Sequence, residues 1–256
     1  MYRNTPVQFV FHDVTITVNM PTRTDLMQEL RRRFSAQDGF ALATVNLDHL
    51  VKMQSSQGFT RTYAAQDMVV ADGWPIVALS RLARKPVELM PGSDMVLPLC
   101  RLAAEVGTPV GFFGSTQEAL EAARDALRTK VPSLNVALIL SPPMGFDPDG
   151  EAALKVLHQL TDKGIGLCFV ALGAPKQEAF AARGRQVAPT VGFASIGAGL
   201  DFLSGRQHRA PKVVRRIGME WLWRALSSPR RLVPRYAKCF AILPRQLMGA
   251  MQQRRN

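Results

Sequence analysis

No stretch of the sequence approaches the roughly 20 consecutive apolar residues that a membrane span needs. The start, Met1-Tyr-Arg-Asn-Thr-Pro6, lacks the apolar core of a secretory signal, so a cytosolic chain is expected. Cysteine is scarce. Cys100, Cys168 and Cys239 are odd in number and far apart, with no CxxC pair and no Cys/His cluster, which argues for reduced thiols. His12, His49, His158 and His208 show neither HExxH nor i,i+4 pairing and are expected to be structural. GxGxxG and Walker A motifs are missing. The first absence speaks against a nicotinamide-dependent oxidoreductase. Acid is nearly absent from the last fifth of the chain. Residues 206–256 hold 13 Lys and Arg against Glu220 alone, whereas residues 1–205 hold 19 of each sign. The whole net charge of +12 therefore sits at the C-terminal end. That segment should meet phosphates, nucleic acid or an anionic membrane.

What is present reads as an α/β protein. Apolar residues make up 47% of the chain, enough for a sizeable core. Val7 to Val18 alternates around His12-Asp13 and predicts a hairpin. Apolar strands are then expected at 40–45, 68–71, 109–114, 135–140, 165–172 and 191–196. Helices are expected between them, at 24–34, from 48, 75–84, 95–106, 116–130, 151–163 and 176–185. Such alternation means βαβ units and a mainly parallel, Rossmann-like sheet with helices on both faces. This core is expected to end near Gly205, giving residues 1–205 as one domain and 206–256 as a basic helical appendage. Arg31-Arg32-Arg33 is read as a solvated helix face. Within the appendage, Tyr236, Phe240, Leu243, Leu247 and Met251 mark one apolar helical face, which Pro244 is expected to kink or divide.

Ligands of open parallel sheets bind at the carboxyl edge of the strands. The centre of interest there is Asp67-Met-Val-Val-Ala-Asp-Gly-Trp-Pro75. Met68 to Ala71 reads as a buried strand, and Pro75 suits a first helical turn. Asp72 thus stands where strand hands over to helix. A carboxylate there can act as base on a bound hydroxyl, or it can cap the helix or close a turn. Other strand ends offer Thr44 and Asn46, Gly73, Gly114-Ser115, Met144-Gly145, Gly173 to Glu178, and Gly197-Ala-Gly199. Small residues admit a nucleotide to backbone N–H groups, and helix N-termini favour its phosphates. Gln177 can both donate to and accept from sugar hydroxyls, and Lys176 can meet a phosphate. Asp147-Pro148-Asp149 has a DxD metal-binding spacing, but Pro-Asp-Gly is also a turn sequence, and the turn is the reading adopted.

These segments together resemble the WecG/TagA/CpsF family of glycosyltransferases, family 26. The resemblance runs through Thr44-Val-Asn46, Ala71-Asp-Gly73, Pro91-Gly-Ser-Asp94, Gly111-Phe-Phe-Gly114 and Leu172-Gly-Ala-Pro-Lys-Gln-Glu178. It continues through Gly197-Ala-Gly-Leu-Asp-Phe202, Arg209-Ala-Pro211, Glu220-Trp-Leu-Trp-Arg224 and Pro229-Arg230. It implies an inverting, metal-independent transfer from a UDP-sugar of the N-acetylmannosamine, N-acetylmannosaminuronate or glucose type. The implied acceptor is a sugar on undecaprenyl diphosphate at the inner face of the cell membrane, during cell-surface polysaccharide synthesis. No cofactor is implied. Asp72 matches the family's proposed base, and Thr44, Asn46 and Gln177 match its donor-site positions. Gly73, Gly114, Gly173 and Lys176 fall in the same matching segments. Arg209, Arg224, Arg231 and Arg235 are the implied phosphate-binding arginines of the C-terminal part. Leu89 stands where many members carry an arginine. An anionic membrane surface is an implied partner, and a homo-oligomer stays open. The rival reading is a basic nucleic-acid-binding protein with a Rossmann-like core. The tail lacks any recognition motif of that class, and apolar residues interleave its arginines, so nucleic acid is not the expected partner.

Overall fold

The computed structural model describes residues 6–203, Trp223 and residues 229–255. Strands β1 (Gln8–Phe11) and β2 (Val14–Thr17) form the expected antiparallel hairpin about His12 and Asp13, both of which take positive φ. Six further strands make a wholly parallel sheet: β3 (Phe40–Val45), β4 (Met68–Ala71), β5 (Val110–Gly114), β6 (Val136–Leu140), β7 (Leu167–Ala171) and β8 (Gly192–Ser195). Their spatial order is β4-β3-β8-β7-β5-β6. All six carboxyl ends therefore lie along one edge. A parallel sheet is covered on both faces, which is why its central strands are apolar without interruption. All six residues of β3 are buried.

Among the described residues the named helices are α1 (Arg23–Ala36), α2 (Leu47–Ser55), α3 (Gln57–Ala64), α4 (Trp74–Leu82), α5 (Gly92–Val106), α6 (Gln117–Lys130), α7 (Glu151–Asp162), α8 (Lys176–Val187), α9 (Gly199–Leu203) and α10 (Pro229–Gln253). Side chains of β3 alternate between clusters. Phe40 and Leu42 join the layer of α1, α5 and α6, whereas Ala43 and Val45 face the hairpin, α2, α3 and α4. A third cluster under α7 and α8 stacks Phe113, Phe146, Phe180 and Phe193, with Phe113 and Phe180 centroids 4.6 Å apart. Such aromatic pairs add about 0.5–1.5 kcal/mol beyond area burial.

Three expectations need correcting. Residues 57–64 form a helix that periodicity did not mark, capped by Ser56, whose hydroxyl accepts the Phe59 N–H at 3.2 Å. Its burial of Phe59, Thr60 and Tyr63 overrides the weak helix propensity of Gly58 and two threonines. Arg31 and Arg32 are indeed exposed, but Arg33 is largely covered and donates to Glu29 and to the Gly39 carbonyl. The C-terminal helix is the third case. It runs unbroken through Pro234 and Pro244, so Pro244 does not divide it. It packs on α2 and α4, and its Leu232, Cys239, Ile242, Gln246 and Ala250 are buried, with Cys239, Ile242 and Ala250 in the hairpin-side cluster. Gln253 clamps the hairpin, accepting from the Gln8 N–H at 3.0 Å and donating to its carbonyl at 2.6 Å. The apolar stripe read from sequence faces differently. Phe240, Leu247 and Met251 are exposed, together with Val233 and Met248, while Tyr236 and Leu243 are half-buried. Apart from Trp223, residues 206–228 of the expected helical appendage lie outside the described residues, as does the domain boundary near Gly205.

Candidate active site

Val45 and Ala71 are register partners, so Asn46 and Asp72 leave the sheet side by side. The Asp72 N–H donates to the Val45 carbonyl at 2.8 Å. Asn46 Nδ2 donates to Asp72 Oδ2 at 3.2 Å, while Asn46 Oδ1 caps α2 by accepting the His49 N–H, also at 3.2 Å. An amide has one acceptor end and one donor end. Using the acceptor on the helix leaves the donor for Asp72, so the cap itself orients the carboxylate. The capping role left open for Asp72 is not taken up: Gly73, at φ +95°, is the N-cap of α4, and no side chain caps it. Gly73 suits that backbone because it has no Cβ.

Beneath this pair, Thr44 is 5% exposed. Its carbonyl receives the Tyr63 hydroxyl and the His49 Nδ1–H, the latter at 2.7 Å. Both partners are fully buried polar rings. Burial, then the nearby Lys52 charge, pushes His49 down to about 4, so it is neutral near pH 7. Burial likewise raises Tyr63 well above its ordinary range. Two neutral donors on one carbonyl make a rigid floor for the end of β3.

Across the edge, the loop after β7 carries Gly173 at φ +74°. Lys176 donates to the Phe146 carbonyl at 2.7 Å, bracing α8 against the loop before α7. Gln177 is 2% exposed, and both ends of its amide are engaged. Its Oε1 accepts the Gly197 N–H at 3.0 Å, and its Nε2 donates to Glu178 Oε1 at 2.8 Å. Gln177 thus ties the β7 loop to the β8 loop. Glu178 is fully buried, and burial pushes its carboxyl up to about 7. Gly114, at φ +115°, ends β5 so close to β7 that a Cβ would stand 2.4 Å from the Ala171 carbonyl oxygen. The next residue, Ser115, donates from Oγ to Asp201 Oδ1 at 2.5 Å, and its carbonyl accepts from Ser141 at 2.8 Å.

The structure therefore brings Thr44, Asn46, Asp72 and Gly73 to one half of the edge, and Gly114, Gly173, Lys176 and Gln177 to the other. Of the expected phosphate-binding arginines, Arg209 and Arg224 lie outside the described residues, and Arg231 is on the first turn of α10. Arg235 pairs with Asp48 of α2, Nε to Oδ1 at 2.8 Å. Leu89 lies beside Ala71 in an isolated parallel bridge, half-buried against the hairpin-side core. Asp147 Oδ1 accepts the Asp149 N–H at 3.0 Å, the turn geometry expected of Asp-Pro-Asp-Gly. Sequence reasoning gave no functional role to Asp48, Lys52 or Tyr63, and named Glu178 only as the end of a matching segment. The i,i+4 spacing of Asp48 and Lys52 is a local signal for their pair, but their contacts with Arg235 and Ala174, and the burial of Tyr63 and Glu178, depend on distant partners.

The family model described as glycosyl transferase WecG/TagA/CpsF matches residues 11–256, nearly the whole chain. The chain belongs to that family, and membership implies a glycosyltransferase of cell-wall polysaccharide synthesis.

Proposed function

We propose that this glycosyltransferase moves a hexosyl group from a UDP-sugar, with inversion and without a metal, to a sugar carried on undecaprenyl diphosphate. The observation that carries the reading is the Asp72 carboxylate at the end of β4, oriented by Asn46. In an inverting transfer the acceptor hydroxyl attacks the anomeric carbon from the face opposite UDP. The new C–O bond forms as the bond to the diphosphate oxygen breaks. Asp72 takes the hydroxyl proton, a contribution of about 10²–10⁴-fold for a general base. Positive side chains stabilise the departing diphosphate. Arg209, Arg224 and Arg231 are the groups proposed for that task; Arg235, held by Asp48 of α2, is left out of that set. Gly114 and Gly173 let the donor approach the backbone, and Thr44, Asn46 and Gln177 shape the sugar pocket directly or through the loops they hold.

The proposed acceptor places the enzyme on the inner face of the cell membrane. The exposed stripe of Val233, Phe240, Leu247, Met248 and Met251 on α10 supports this, flanked by Arg230, Lys238, Arg245 and Arg254. A basic amphipathic helix lies in the interface and does not span it. No helix among the described residues is long and apolar enough to cross a membrane.

The test is an assay of UDP-N-acetylmannosamine, UDP-N-acetylmannosaminuronate and UDP-glucose with a lipid-linked monosaccharide, in excess EDTA. Transfer from one of them, undiminished by the chelator, is expected. Transfer from none, or activity restored only by Mn²⁺ or Mg²⁺, would overturn the reading.

A further inference from the structure

We propose that Asp48 is a positioning residue that couples the docking of α10 to the geometry of the β7 loop. The inference rests on the reading above that this loop belongs to the donor site. Asp48 uses both carboxylate oxygens on cations arriving from different directions. Oδ1 meets Arg235 of α10 at 2.8 Å, and Oδ2 meets Lys52 of α2 at 2.7 Å. Lys52 Nζ also donates to the Ala174 carbonyl at 3.2 Å. Ala174 lies between Gly173, whose carbonyl accepts the Gln177 N–H at 3.1 Å, and the start of α8. A continuous chain of contacts thus runs from the C-terminal helix to the residue that ties the β7 and β8 loops together.

A plainer account exists for each piece. An acid in a first helical turn complements the helix dipole, and an i,i+4 Lys–Asp pair is common. Neither explains why Lys52 carries a second bond to a loop remote in sequence, nor why the same carboxylate receives a guanidinium from α10. The Asp48 side chain is only 13% exposed, so these contacts are less screened than surface pairs. Burial pushes the Asp48 carboxyl up, but the Lys52 hydrogen bond and the Arg235 and Lys52 charges together hold it below the ordinary carboxylate range. It is therefore charged at neutral pH. The arrangement has a functional sense. When α10 docks, Arg235 neutralises part of Asp48, and Lys52 is held where it also fixes Ala174. When α10 leaves, Asp48 can draw Lys52 away from the loop. The donor edge is then complete only with the C-terminal helix in place.

The test compares wild type with Asp48→Asn, Lys52→Gln and Arg235→Gln and their pairwise combinations. The readouts are amide hydrogen exchange of residues 172–178 and donor KM and kcat. Each single variant should speed exchange in 172–178 by about threefold to tenfold, and the pairs should add little more, because all three act through one linkage. Donor KM should rise by a similar factor, with kcat within about twofold. A direct role for Arg235 on phosphate predicts the opposite in Asp48→Asn, where the freed guanidinium would improve transfer. Unchanged exchange in 172–178, strictly additive effects, improved transfer in Asp48→Asn, or faster exchange with an unchanged donor KM would each overturn the proposal. Lys52→Gln alters a half-exposed side chain, so the comparison survives if Asp48→Asn folds poorly. If the wild type transferred from no UDP-sugar, the function above would fall, and exchange in 172–178 alone would decide the coupling.

Discussion

Asn46 donates to Asp72 across the ends of two neighbouring strands, 3.2 Å from Nδ2 to Oδ2, while its other amide atom caps α2. One side chain thus starts a helix and aims a carboxylate. The two jobs separate on substitution. Asn46→Ala should lose both, and the cap alone is worth about 0.5–2 kcal/mol. Asn46→Asp keeps a capping oxygen but sets a second carboxylate against Asp72. Adjacent carboxylates disfavour each other's ionisation. The expected outcome is near-normal thermal stability, with the acid limb of the rate profile moved up by about one pH unit or more. Thermal melts and pH profiles of kcat/KM check both parts.

Two buried groups should oppose each other in the pH dependence of stability. His49 is held down to about 4, so its contribution is present above its unfolded value near 6.5 and is lost as pH falls towards 4. Glu178 is pushed up to about 7, so its contribution is complete below its unfolded value near 4.5 and is lost as pH rises towards 7. Between about pH 4.5 and 6.5 the two slopes offset. Glu178→Gln removes the second. That variant should lose stability steadily on acidification from pH 6.5 to 4.5, where the wild type stays nearly flat. Urea melts across that range check it, and equal slopes in the two proteins would show that the buried pair does not govern this window.

The outward face of α10 offers a test that leaves its inward face alone. Val233, Phe240, Met248 and Met251 are each about half exposed, whereas Cys239, Ile242 and Ala250 are buried. Replacing the first four with serine should leave the fold intact. Sedimentation with anionic liposomes should fall at least tenfold, since each side chain withdrawn from the interface forfeits about 1.5–3 kcal/mol if fully buried there. Added salt should weaken the wild type further by screening its arginines.

Much of this architecture is legible in the chain. The 68–71 strand, the helix beginning at 116 and the hairpin at His12-Asp13 follow from local pattern and turn chemistry, and all appear where expected. The parallel sheet follows from alternation alone. Less legible is whatever depends on distant partners. Helix 57–64 is stabilised by packing against β2 and α8, which its propensities do not encode. The apolar periodicity of α10 pointed to Phe240 and Leu247, yet the core takes Cys239, Ile242 and Ala250. A helix with apolar residues on two faces gives periodicity no means of choosing which face meets the core. Within the site, strand-end position and the family resemblance together pointed to Asp72. Its orientation by Asn46, the Tyr63–Thr44–His49 floor and the Asp48 linkage required the fold.

The central claim is that Asp72 takes the proton of the acceptor hydroxyl. Asp72→Asn preserves shape, replaces a base with an amide, and leaves the β4 backbone and its bond to Val45 in place. The decisive measurement is single-turnover transfer by this variant with a lipid-linked acceptor, beside its thermal melt and UDP-sugar binding. The account predicts an unchanged melt, donor affinity within a few-fold, and a rate lower by about 10²–10⁴. A folded Asp72→Asn protein that transfers at close to the wild-type rate would contradict it.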